Sequence, residues 1–199
     1  NKAEEKAFPI VAIGASAGGM EAASELFQHL PADTGMGFVY IQHLDPVYES
    51  KLTEIFSKIT RLSVEQAKNH TVLKPNTLYI IQPNKEIILS KRKLKVSARP
   101  KAESAPMPID AFFSSVAEFQ KEGSIGIILS GSAHGGTAGL KAIKTAGGLT
   151  FAQDDTALFK SMPKSAIAEG LVDLVLSPKG IAEELARIAS KKEVIQEVL

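Results

Sequence analysis

Residues 8–31 read FPIVAIGASAGGMEAASELFQHLP, and the order of chemistry along that stretch decides the fold. An uninterrupted apolar run from Phe8 to Gly14 ends on glycine, and a turn of small residues follows. Gly19 to Leu30 then places apolar residues at helical spacing until Pro31 stops them. Strand, tight turn and helix in that order form the first half of a βαβ unit. Gly37 to His43 (GFVYIQH) predicts a second buried strand, and Lys51 to Ile59 carries Leu52, Ile55, Phe56 and Ile59 on one helical face.

From Thr71 to Arg99 the texture changes. Leu78–Gln82, Glu86–Ser90 and Leu94–Ser97 predict short strands separated by Pro-Asn-Lys and Lys-Arg-Lys turns, an antiparallel insertion. A helix over Pro106–Glu122 enters on proline, and the strand Ser124–Ser130 runs into a glycine-rich turn, Gly131–Gly139. Helix Thr137–Ala146, strand Leu149–Ala152, helix Pro163–Glu169, strand Leu171–Leu176 and a helix from Pro178 complete the order. Strands alternating with helices predict an α/β fold: a doubly wound, mostly parallel sheet flanked by helices on both faces, with a small antiparallel insertion around residues 71–99.

Composition bounds the function. The 199 residues suit one domain, read as a leader or linker over 1–7 (NKAEEKA) and a single unit over 8–199. With no cysteine, disulfides and Cys-based zinc sites are excluded, and no apolar run approaches the roughly 20 residues of a membrane span. The charged, h-region-free start is not a signal peptide, so a cytoplasmic location is expected, without membrane insertion. Twenty-three basic residues against 22 acidic ones leave a net charge of +1, which supplies no overall field for nucleic acid.

In an open parallel sheet, ligands bind beyond the carboxyl ends of the strands. The first such turn is Gly14-Ala15-Ser16-Ala17-Gly18-Gly19, a Gly-x-Ser-x-Gly pattern whose small neighbours let a serine hydroxyl stand over the sheet. The N–H groups at the following helix start suit an oxyanion. A glycine turn that only packs helix on strand, or a degenerate dinucleotide loop, fits the same letters. Serine needs a base, and four histidines are available. His29 lies within the first helix and His70 in a polar turn. His43 ends the second strand, where a neighbouring pair of strands would carry it beside Ser16. His134, in the glycine-rich turn after the Ser124–Ser130 strand, is the competing base.

The residues GASAGG at 14–19 with QH at 42–43 resemble the catalytic portion of CheB-type chemotaxis methylesterases. The resemblance extends through LKPNTLYIIQPN at 73–84, PIDAFFSSVAE at 108–118, LSGSAHGGTAGLKAIKTAGG at 129–148 and MPKSAIAEGLVDLVL at 162–176. It implies Ser16 as nucleophile and His43 as base, with an oxyanion pocket from the backbone N–H groups of Ala17 and Ser132. The implied activity is hydrolysis of glutamate methyl esters on methyl-accepting chemoreceptor signalling helices and, in many members, deamidation of receptor glutamines, with no cofactor or metal. The last two-thirds resemble esterase modules joined to a receptor methyltransferase, which makes a methyltransferase, fused or separate, a second expected partner.

One departure stands out. The family's third triad member is an aspartate in a Gly-x-Gly-x-Asp-Gly turn, and here Gly135 occupies its place in Gly131-Ser132-Ala133-His134-Gly135-Gly136. No Asp or Glu lies between Glu122 and Asp154 to take it over by a small slip in register. In other serine hydrolases such a loss lowers turnover about ten-thousand-fold, roughly 5.5 kcal/mol of barrier. Impaired esterase activity is therefore expected, with deamidation the more affected, and Asp154, Asp155 or a water is the candidate replacement for the carboxylate.

Rival readings differ at identifiable residues. Ser16 interrupts Gly-x-Gly-x-x-Gly, and the second strand ends in Gln-His rather than an acidic ribose ligand, which argues against a dinucleotide site. An ordinary α/β-hydrolase orders its triad Ser, acid, His, whereas His43 follows Ser16 by only 27 residues. An interaction or regulatory module of weak or no activity is the alternative that Gly135 favours. The basic run Lys91, Arg92, Lys93, Lys95, Arg99 and Lys101 suits lysines guarding an edge strand, and less well docking on an acidic receptor surface. Nucleic acid fits it least, since no aromatic residues are interleaved.

Overall fold

The computed structural model describes residues 7–43, 51–82, 84–100, 107–132 and 134–197. Most of the leader, part of the glycine-rich turn at Ala133, and Lys101 and Pro106 lie outside the described residues. Among the described residues there are nine strands: β1 Ile10–Ala15, β2 Gly37–Gln42, β3 Ser63–Gln66, β4 Thr77–Ile80, β5 Lys85–Ser90, β6 Lys93–Ala98, β7 Ser124–Ile128, β8 Leu149–Gln153 and β9 Leu174–Leu176. The helices are α1 Gly19–His29, α2 Leu52–Ile59, α3 Pro108–Gln120, α4 Thr137–Thr145, α5 Ser161–Ala168 and α6 Pro178–Glu197. Seven strands form one parallel sheet in the order β3-β4-β2-β1-β7-β8-β9, and β5 and β6 pair antiparallel as a separate hairpin.

The central strands are apolar throughout because both faces of the sheet are covered. Every residue of β1 (IVAIGA), β2 (GFVYIQ) and β7 (SIGII) is buried. Alternation along β1 divides the core. Val11, Ile13 and Ala15 join Leu26, Phe27, Phe56, Ile181 and Leu185 on the face covered by α1, α2 and α6. Ile10 and Ala12 join Phe112, Phe113, Leu140, Met162 and the hairpin's Ile87, Leu89 and Leu94 on the other. Gly139 permits a close approach: an added Cβ there would stand 2.6 Å from Phe113 Cβ, so α4 lies directly against α3.

Four details differ from the sequence expectations. Leu78–Gln82 does not join an antiparallel insertion: Leu78 to Ile80 belong to β4, parallel to both β2 and β3. Those residues are apolar on both faces, the pattern of an interior strand, and the antiparallel element shrinks to the β5–β6 hairpin. The edge strand β3 (SVEQ) was not expected, because an exposed edge needs no apolar run. The strand expected over Leu171–Leu176 is confined to Leu174–Leu176, and α3 begins at Pro108 within the described residues.

The sheet runs outward from β1 in both directions, through β2, β4 and β3 on one side and, in sequence order, β7, β8 and β9 on the other. The boundary between β1 and β7 is the topological switch point, where an open parallel sheet leaves a crevice at its carboxyl end.

Candidate active site

Ser16 is the first residue past β1, and His43 the first past β2. Because the strands pair parallel with Ala15 opposite Gln42, the two residues leave the sheet side by side. The His43 N–H donates to the Ala15 carbonyl at 3.0 Å, continuing the ladder one step beyond the strands. From the other side, the Ser16 N–H donates to the Ser130 carbonyl at 2.9 Å, which ties the loop after β7 to the serine turn. Gly131 closes the gap, since a Cβ there would meet Ser16 Cβ at 3.0 Å and overlap the Met162 sulfur. Gly18 enters α1 at φ +72°, and a side chain there would strike Ser130 Oγ at 2.6 Å.

One buried chain of hydrogen bonds under this turn had no signal in the sequence. Gln42 Nε2 donates to the Ser16 carbonyl at 3.0 Å, and the Tyr40 hydroxyl donates to Gln42 Oε1 at 2.5 Å. The Ser16 carbonyl only accepts, so it fixes which end of the amide faces it. Burial, and secondarily Glu21, pushes the Tyr40 phenol well above its ordinary 10.0, which keeps the proton that the amide oxygen requires. The Tyr40 ring is held edge-on by Phe27 and Phe56, with centroids 6.0 and 5.3 Å away. Residues at 40 and 42 point to the same face of β2, but nothing in their spacing names Ser16 as the target.

Ser16, Gln42, His43 and Gly135 line a single cleft with Ile109, Met162, Lys85 and Arg99. Ser16 is 7% exposed, and its hydroxyl donates to the His43 backbone carbonyl at 3.4 Å, a long contact, rather than to the imidazole. Gly135 stands where an added Cβ would find only Met107 Cε, at 4.0 Å. Among the described residues no carboxylate lines the cleft. The structure does not bring Asp154 there: its carboxylate accepts from the Thr156 N–H at 3.0 Å and the Thr156 hydroxyl at 2.6 Å, capping the turn after β8. Asp155 pairs with Lys160 at 3.6 Å in solvent. His134 faces Ser165, Nδ1 to Oγ 3.2 Å, rather than Ser16, and His29 contacts the Glu25 carbonyl. Ala17 is the second residue past β1 and Ser132 the fourth past β7, and among the described residues neither backbone N–H is given to an acceptor.

The family model for the CheB methylesterase matches residues 11–185. This chain belongs to the CheB methylesterase family. A relative from Burkholderia orbicola, named protein-glutamate methylesterase/protein-glutamine glutaminase 3, is 38% identical over 183 residues, covering 90% of this chain and 54% of the relative. A Rhizobium meliloti protein, the protein-glutamate methylesterase/protein-glutamine glutaminase of group 3 operon, is 35% identical over 182 residues, 90% of this chain and 51% of its own length. The chain thus spans about half the length of these curated relatives. The crystal structure of the Thermotoga maritima CheB methylesterase catalytic domain superposes with a TM-score of 0.83 at 28% identity, covering 92% of this chain and all of that one. As in that CheB domain, the fold here is a parallel sheet wrapped by helices, and among the described residues no helix of this CheB-family chain is long and apolar enough to cross a membrane.

Proposed function

We propose that this CheB-family domain hydrolyses glutamate γ-methyl esters on a protein substrate, with Ser16 as nucleophile and His43 as general base. The observation that carries the reading is the convergence of Ser16 and His43 on one cleft at the carboxyl ends of adjacent parallel strands. For attack, the Ser16 hydroxyl turns from the His43 carbonyl to the imidazole, gives up its proton there and adds to the ester carbonyl. The N–H groups of Ala17 and Ser132 receive the oxyanion. Collapse expels methanol, protonated by His43, and water then releases the glutamate carboxylate by the same steps. Chemoreceptor signalling helices, the substrate expected of the family, fit this chemistry, and a receptor methyltransferase is the enzyme whose product it would consume.

Gly135 makes the domain an impaired member. Among the described residues no carboxylate lines the cleft with His43, and with the triad acid missing neither the imidazole tautomer nor its cationic form is held by it, so ester cleavage survives better than deamidation. A fluorophosphonate probe should label the wild type and not Ser16→Ala. Gly135→Asp has steric room on the cleft wall, so restoring the acid should raise methyl ester turnover at least about tenfold, towards a ceiling of about 10⁴. A wild type silent to the probe would favour an interaction module, and no gain from Gly135→Asp would mean that the site is not a triad lacking its acid.

A further inference from the structure

The β5–β6 hairpin concentrates positive charge that the chain as a whole does not have. Residues 85–99 hold six cations, Lys85, Lys91, Arg92, Lys93, Lys95 and Arg99, against the single acid Glu86, a net of +5 in a chain whose total is +1. Everything outside the hairpin therefore sums to −4. Lysines on a sheet edge ordinarily guard unpaired backbone, yet both edges of this hairpin are already covered. Along β6, the Leu94 N–H donates to the Thr71 carbonyl at 2.8 Å, and the Leu94 carbonyl accepts from the His70 N–H at 2.8 Å. The Val96 N–H donates to Asn69 Oδ1 at 3.1 Å. Along β5, the Leu89 N–H donates to the Ser115 hydroxyl of α3 at 2.8 Å.

The charges have a direction. Leu94 is buried and Val96 half-buried, so Lys93, Lys95 and Ser97 fall on the opposite, exposed face of β6, and Arg99 continues that row one step past the strand. Arg99 and, across the hairpin's base, Lys85 line the cleft that holds Ser16. The row from Arg99 to Lys93 is about 20 Å long, close to four turns of α-helix. Among the described residues no acid pairs with Lys85, Lys93, Lys95 or Arg99.

We propose that the exposed face of the β5–β6 hairpin, through Lys93, Lys95 and Arg99, is the docking surface for an acidic helical segment of the protein substrate, which it delivers to the Ser16 cleft. The identity of the partner rests on the reading of that cleft as an esterase. A helix whose glutamates are esterified and then released carries carboxylates at its other modification positions, and every turnover adds one. A cationic row leading out of the cleft holds such a helix while the neutral ester enters.

The test uses a helical peptide of about 20 residues with unesterified glutamates at i, i+4 spacing, so its binding does not require Ser16 to act. Fluorescence anisotropy at low salt should show Lys93→Glu/Lys95→Glu binding about tenfold or more weakly than wild type, with the difference shrinking as salt screens it. Lys141→Glu/Lys164→Glu, the same charge change at exposed positions on α4 and α5, should bind as wild type does. Equal losses in the two variants, equal binding of a glutamine-substituted peptide, or tighter binding of duplex DNA or anionic vesicles would overturn the proposal. Hairpin-dependent peptide binding by a chain that hydrolyses no ester would leave the docking surface standing and remove the esterase reading alone.

Discussion

Gln42 shows how much a single residue adds beyond the motif that contains it. Its place before His43 looks like a strand-end polar residue, and its amide is in fact the only side-chain donor given to the Ser16 carbonyl among the described residues. Gln42→Leu leaves the Ser16 carbonyl with the Gly19 N–H, at 2.9 Å, as its remaining donor and strands the buried Tyr40 hydroxyl, at about 1–3 kcal/mol. Denaturant unfolding should register a loss of that order, and fluorophosphonate labelling should slow because the turn that presents Ser16 loses its side-chain anchor. Tyr40→Phe strands only the amide oxygen and should cost less in both measurements. Equal stability in Gln42→Leu and wild type would show that the amide does not anchor the turn. At the same scale, Ser16, His43 and Gly135 were legible as a set because each follows a strand in a recognisable run. Asp154 was legible only as a nearby carboxylate, and its commitment to Thr156 depends on the path of a turn that no residue pattern reveals.

Among the elements, the far side of the sheet is fastened by one carboxylate. Asp173, just before β9, accepts from Lys144 Nζ of α4 at 2.6 Å and from the Thr150 N–H and hydroxyl of β8 at 3.0 Å each. Burial alone would raise its pKa, but hydrogen bonds from Lys144 and Thr150, with the lysine's charge, outweigh it and lower the carboxyl below its ordinary 3.8. A depressed folded-state pKa means that the contribution is present above the unfolded value and lost as pH falls through the lower, folded one. Asp173→Asn should therefore be less stable than wild type at pH 7, by about 1–2 kcal/mol for a hydrogen-bonded charge, and the gap should close below about pH 4. Thermal melts of both proteins from pH 7 to pH 2.5 measure it, and a gap that stays constant would assign the loss to shape rather than charge. Element order was readable because each strand and helix carries its own period. The parallel pairing of β4 was not, since a four-residue apolar run has the same letters in a hairpin as in a sheet interior.

For the whole molecule, the sheet is shared by two apolar layers that meet through alternate residues of β1, so neither layer can lose its packing while the other keeps its wall. Tyr40 lies fully buried in one layer and Tyr79 in the other, in a chain without tryptophan. With Tyr48, the third tyrosine, replaced by Phe in both, near-UV signals from Tyr40→Phe and Tyr79→Phe variants therefore report the two faces separately, and each should coincide with the far-UV transition of the same variant. Non-coincident transitions would divide residues 8–199 into independent units. The sequence by itself determined which residues are strands and helices in the sheet's centre, which side chains end them and that the glycine-rich turn after β7 carries no Asp or Glu, because periodicity, small-residue turns and residue identity are local properties. Only the tertiary structure decided that β4 enters the sheet, that Gln42 reaches under Ser16, that Asp154 stays out of the cleft and that the hairpin's edges are already covered. Each of those depends on contacts between segments distant in the chain, which are set by packing and hydrogen-bond geometry rather than by the letters on either side.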